Sequence, residues 1–200
     1  MISVIFTPFY LPLLGLALLF VFSYLTMLPL MYKLQLLLLV YILTILLPTF
    51  LIRLYLKYQG WSHHHLGRRE RRMIPYVISI LCYFFCFYLM NILHVPHFVS
   101  SVLVAALLIQ IICAIINVWW KVSTHTAAIG GVAGALIAYA HLFFFNPVWW
   151  LCLVLIVAGL VGSARMILRQ HTLLQVIVGF FTGFICAYFA IMKLSINLII

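Results

Sequence analysis

The chain has 200 residues, of which 68% are hydrophobic and 6% charged, and its mean hydropathy of +1.33 lies far above that of soluble globular proteins. The formal net charge is +10, and Glu70 is the single acidic residue. This composition excludes carboxylate dyads, carboxylate-held Mg²⁺ or Ca²⁺, and Ser-His-Asp triads, so any chemistry must rest on His, Arg, Lys and hydroxyl groups.

Seven apolar windows are long enough to cross a bilayer, since about 20 apolar residues suffice. They cover residues 9–31, 36–57, 75–93, 98–118, 125–145, 148–168 and 172–195. We therefore predict an all-α integral membrane protein, a bundle of six or seven transmembrane helices that forms a single domain over residues 1–200. Pro75 is expected to open the third helix, because proline is favoured in a first helical turn.

The connections between these windows predict where the polar residues meet. If the loop at 59–74 lies at one membrane surface, two crossings return the chain there at His125, and two more return it at Arg165 and His171. Tryptophans 119–120 and 149–150 fall at opposite surfaces, as interfacial belts require. We expect one site at the shared surface.

Two motifs lie at these returning ends. Ser123 and His125 form the first, and the second has Arg165, then His171 six positions later, then Gln175 four positions further. Together they resemble the second motif (Pro-Ser-Gly-His) and the third motif (Ser-Arg, five residues, His, three residues, Asp) of the type-2 phosphatidic acid phosphatase family. The resemblance covers roughly residues 60–185.

The chain departs from the family pattern at four positions. Val122 stands for the proline, Thr124 for the glycine, Ala164 for the serine and Gln175 for the aspartate. An amide fixes a histidine tautomer but gives an imidazolium no full countercharge, and a side chain at 124 could crowd a bound phosphate. These departures leave three readings open: an active lipid phosphatase, a lipid phosphotransferase, or a degenerate member that binds or transports anionic lipids.

The resemblance implies a role for each motif residue. His171 is the expected nucleophile that forms a phosphohistidine, His125 the acid that protonates the leaving oxygen, and Gln175 the partner that holds the His171 tautomer. The first motif of the family is a lysine, six residues, then Arg-Pro, but here Ile74 precedes Pro75, so the matching cation is Arg72, our preference, or Arg68. The expected phosphate-binding residues are Arg165, Ser123, Arg72, Arg68 and Lys121.

The expected reaction needs no metal and no cofactor. On a loop, the neighbouring histidines 63–65 are expected to point in different directions, and the sequence offers no further ligands nearby for a tetrahedral zinc shell. The expected partners are the bilayer and an anionic lipid phosphate, not nucleic acid; oligomeric state and lipid identity are left open.

We expect the chain in a bacterial inner membrane. The basic loop before Pro75 places the site in the cytoplasm by the positive-inside rule, whereas many members of the resembled family work on the outward side. The side of the membrane therefore stays open.

Overall fold

The computed structural model describes residues 10–22, 29–58 and 69–196, and helices make up nearly all of them. The side chains of residues 69–73 are outside this description. Within the described ranges there is no strand. The helices are α1 (Leu11–Phe22), α2 (Leu30–Tyr58), α3 (Arg69–Ile92), α4 (His97–Trp119), α5 (Thr124–Phe143), α6 (Val148–Ile167) and α7 (Leu173–Ile196).

Six of these helices are long and apolar enough to span a membrane, which confirms the predicted bundle. They are the helices α2 to α7. Helix α1 occupies 12 residues of the first predicted window, and α2 begins at Leu30, after Pro29, rather than at residue 36. Trp119 ends α4 and Trp149 lies in the first turn of α6, and both are strongly exposed, as expected for interfacial residues.

The third helix begins earlier than predicted. It starts at Arg69, and Pro75 lies inside it, so the expectation that Pro75 opens the helix was wrong. Pro75 is in the second turn, beyond the four residues at a helix start whose N–H groups have no intrahelical partner, so it removes one hydrogen bond of the helix. Arg72 is therefore helical and lies one turn before Tyr76 on α3.

Helix α2 contains a π-helical segment, Ile42–Leu46, just before Pro48. Proline has no N–H to donate to the carbonyl four residues earlier, so the regular hydrogen-bond ladder is displaced there. The buried Thr44 donates its hydroxyl to the Val40 carbonyl at 2.7 Å. The irregular turn is thus explained by a local sequence feature.

The centre of the bundle is formed by α4, α5 and α7. In the spans of α4 and α5, 61% and 67% of the residues are buried, against 11% in α6. Helix α5 packs most closely on α7, while α6 rests mainly on α5.

Glycines account for the close approach of α5 and α7. A Cβ added at Gly130 or Gly134 would lie 2.0 or 2.2 Å from a carbonyl oxygen of α7, and one added at Gly183 would lie 1.8 Å from the Ala127 carbonyl oxygen. Only glycine permits such backbone contact, and lipid provides no hydrophobic force that would substitute for it. The two GxxxG pairs, Gly130/Gly134 on α5 and Gly179/Gly183 on α7, therefore hold together the helices whose first turns lie at the two motifs.

Candidate active site

Helix α5 begins in the second motif. Ser123 is the N-cap: its Oγ accepts a hydrogen bond from the Thr126 backbone N at 3.5 Å, and the Thr126 hydroxyl donates to the Ser123 carbonyl at 3.0 Å. Ser123 is fully buried, while His125, in the first turn, is partly exposed. The N–H groups of a first helical turn point out of the helix end and, apart from the capped N–H of Thr126, have no partner within the helix, so this end suits a phosphate.

Helix α6 ends in a Schellman turn that places Arg165. The Gln170 N–H donates to the Arg165 carbonyl at 3.1 Å, and the Arg169 N–H donates to the Met166 carbonyl at 2.9 Å. Arg169 adopts the left-handed conformation with φ of 51° and is exposed. Arg165 is partly buried in the last turn, with its Nε shielded from solvent.

Helix α7 begins in the third motif, and the Gln175 side chain organises its first turn. The Gln175 Oε1 lies 3.2 Å from the Thr172 backbone N and 3.2 Å from the His171 Nδ1. A Gln three residues after a Thr at the start of a helix forms half of a capping box. This second function of Gln175 was not predicted, although the Thr-Leu-Leu-Gln pattern at residues 172–175 is typical of a capping box.

The same contacts fix the tautomer of His171. A backbone N–H only donates, so the Gln175 atom that meets Thr172 must be the amide oxygen. That oxygen can only accept, so the Nδ1 of His171 must carry the proton. In the neutral ring the Nε2 atom is then unprotonated and holds a lone pair.

Two direct bonds join the loops that carry the motifs. The Ser123 N–H donates to the Gln175 carbonyl at 3.3 Å, and the Lys121 ammonium donates to the Gln170 carbonyl. Gly179 lies below this junction, where an added Cβ would be 2.6 Å from the Ser123 carbonyl oxygen. The predicted convergence of the second and third motifs at one end of the bundle is confirmed.

Asn117, on α4, connects the loop of the second motif with α3. Its Oδ1 accepts from the Val122 N–H at 3.1 Å, and its Nδ2 donates to the Tyr76 hydroxyl at 3.0 Å and to the Cys113 carbonyl at 2.8 Å. Asn117 was not among the predicted site residues. Since Arg72 precedes Tyr76 by one turn, the backbone of Arg72 is at this end of α3.

The predicted site residues therefore divide into three groups. Those gathered at the junction of the loops are His125, His171, Gln175, Arg165, Ser123 and Lys121. Arg72 is placed by its backbone alone, and Arg68 lies outside the described residues. Histidines 63–65, which were not expected to bind zinc, also lie outside the described residues. Ser123 serves as a helix cap and Lys121 as a bridge between loops, so their direct contact with phosphate stays a prediction.

Comparisons with known proteins found a family match for the region that contains this junction. No curated protein and no solved structure matches the chain. Residues 117–197 match the family model described as PAP2 superfamily, whose members are phosphatases. The resemblance read from the motifs is thereby confirmed: the region from the end of α4 through α7 matches the PAP2 superfamily model, which at family level supports phosphatase-type action on lipid phosphoesters.

Proposed function

We propose that the chain is a metal-independent lipid phosphatase that hydrolyses a lipid phosphate monoester or pyrophosphate through phospho-His171, in a bacterial inner membrane. The observation that carries the proposal is the Gln175 oxygen held between the Thr172 N–H and the His171 Nδ1. This arrangement supports a neutral imidazole whose Nε2 is a ready nucleophile, beside the loop that carries His125.

The proposed reaction has two steps. The His171 Nε2 attacks phosphorus, the bond from phosphorus to the lipid oxygen breaks, and protonated His125 gives its proton to that leaving oxygen. Water then attacks the phosphohistidine, His125 takes up a proton from this water, and inorganic phosphate leaves as His171 returns to the neutral form.

Positive and N–H donors would hold the phosphoryl oxygens during both steps. Arg165 ends α6 next to the junction, and a guanidinium binds oxyanions through a planar fork of donors. Arg72 is the second proposed cation, because its backbone lies at the same end of α3 as Tyr76. The N-terminal turns of α5 and α7 would add backbone N–H donors.

The chain would act on the phosphate of a lipid that reaches the site from the bilayer. The site is carried by apolar helices long enough to span a membrane, and the junction lies where α5 and α7 begin and α6 ends, which would be at the level of lipid head groups. The anionic lipid phosphate is thus the proposed partner.

The test is phosphate release by purified protein from a panel of lipid phosphates in excess chelator. Release should persist in chelator and be lost in His171→Ala and in His125→Ala. His141→Ala is the matched control, because His141 contacts Tyr188 at the other end of α5 and α7 and should leave activity unchanged.

Two other outcomes would replace the proposal. Lipid phosphate binding by a folded protein with no release from any lipid would favour the degenerate, lipid-binding or transport function. Transfer of the phosphoryl group to an added lipid alcohol, with little transfer to water, would identify a phosphotransferase.

A further inference from the structure

A cavity of about 160 Å³ extends from the site into the bundle, between α3, α4 and α5. Its wall near the site includes Pro75 and Thr124, the residue that replaces the family glycine. Its deeper wall includes Tyr83, Ala106 and Gln110. Most of the lining is apolar, so the cavity suits a hydrocarbon chain more than a hydrated ion.

The depth of the cavity follows from two hydrogen-bonded pairs that connect α3 and α4. Tyr76 and Asn117 form the pair next to the motif loop, and Tyr83 and Gln110 form the second pair. Each member of the second pair lies two helical turns from its counterpart, so this pair is about 10 Å deeper. A chain attached to a phosphate at the site would reach it.

Gln110 is the unusual member of this wall. The residue is only 8% exposed, and its Oε1 atom is buried with no hydrogen-bond partner among the described residues. Tyr83 hydrogen bonds with Gln110 and leaves this oxygen unsatisfied. An unsatisfied buried acceptor is costly, and in a cavity wall a ligand that brings a donor would satisfy it.

We propose that this cavity binds the apolar chain of the lipid phosphate and that Gln110 accepts a hydrogen bond from a hydroxyl group on that chain, about 10 Å deeper in the bundle than the Tyr76–Asn117 pair. The inference rests on the proposed function for the position of the phosphate. A dry apolar cavity of about 150 Å³ holds benzene, so this cavity would take a chain segment of about six carbons. The preferred substrates are thus lipid phosphates hydroxylated in mid-chain.

The test is a binding measurement that does not require turnover. The probe is phosphatidic acid with a photoactivatable diazirine in the middle of one acyl chain, added to protein in phosphatidylcholine nanodiscs. Crosslinked peptides are mapped, and labelling is competed by phosphatidic acids with and without a mid-chain hydroxyl. Wild type should be labelled on α3 and α4 around Tyr83 and Gln110, and the hydroxylated competitor should be about tenfold more potent, the value of one good hydrogen bond.

Variants distinguish the contribution of the hydrogen bond to binding from the contribution of the cavity shape. Gln110→Leu, and the double variant Gln110→Leu with Tyr83→Phe, should keep the labelling but lower the potency ratio to about one. Ser101→Ala removes another buried polar group of α4, bonded to Tyr139, and should keep the tenfold ratio.

Two results would overturn this inference: equal potency of the two competitors in wild type, or labelling spread over the lipid-facing α6. Phosphate release from the same nanodiscs is recorded separately. Cavity labelling with the hydroxyl preference but without any release would leave this inference standing and reject the proposed catalysis.

Discussion

Replacing Gly179 by alanine should separate the two motifs by a small and calculable distance. The new Cβ would lie 2.6 Å from the Ser123 carbonyl oxygen and 2.7 Å from the Thr126 Oγ1, whereas ordinary contact begins at 3.4 Å. One side must therefore retreat by about 0.8 Å. The Ser123 carbonyl belongs to backbone that cannot rotate away, so the motif loop itself has to move.

The expected effect is larger on activity than on folding. Overpacking of this kind costs on the order of 1–3 kcal/mol of stability, whereas a misplacement of about 1 Å between reacting groups can lower the rate on the order of a hundredfold. We expect Gly179→Ala to remain folded in detergent with a lower unfolding temperature and to lose about two orders of magnitude in kcat/KM for phosphate release.

Gly159→Ala is the matched control, because among the described residues nothing outside the adjacent backbone of α6 lies within 4 Å of a Cβ added there. This variant should keep full activity and be neutral or stabilised by up to about 1 kcal/mol through helix propensity. Wild-type kcat/KM in Gly179→Ala, or an equal loss in Gly159→Ala, would refute the argument that glycine contacts set the position of the motifs.

Three further changes test the site. Gln175→Asp restores a full countercharge for His171 and should raise kcat by about tenfold or more in steady-state phosphate release; an unchanged or lower kcat would count against this pairing. Arg165→Lys should raise KM for lipid phosphate about tenfold through loss of the bidentate fork, while Arg169→Lys, exposed in the same turn, should match wild type in the same titration; equal effects would contradict the assignment. Asn117→Leu should lower kcat about tenfold and lower the unfolding temperature in a thermal scan, because it leaves a backbone N–H of the motif loop unsatisfied; normal values for both would show that this tie is dispensable.

The bundle was predictable from sequence because hydropathy alone identifies spans in a bilayer. The starts of α2 and α3 were not, since hydropathy ignores polar turns that continue a helix beyond hydrocarbon. Residues Arg69 to Met73 are polar or lie next to polar residues, yet they are helical. Pro75 predicted a helix start, but it occupies the second turn of α3. Helix ends are set by backbone hydrogen bonds, which composition does not report.

The site was predictable where spacing along the chain carries the information. Gln175, Gly179 and Gly183 recur every four residues along α7, and His171 precedes that helix by two residues, so the predicted site residues and the packing glycines lie towards one side of α7. Their continuity became visible only with α5 in place. The contact between Asn117 and Tyr76 joins residues 41 positions apart, and no local pattern predicts such a pair.

The exposure of α6 has a consequence for how the surrounding membrane would act on the enzyme proposed above. The two histidines lie at the ends of α5 and α7, which are locked together by glycine contacts, whereas Arg165 is on the helix with the least buried span. A bilayer of different thickness would tilt α6 before it disturbed α5 and α7. Lipid composition should therefore change the apparent affinity for phosphate while the rate of the bound complex stays nearly constant.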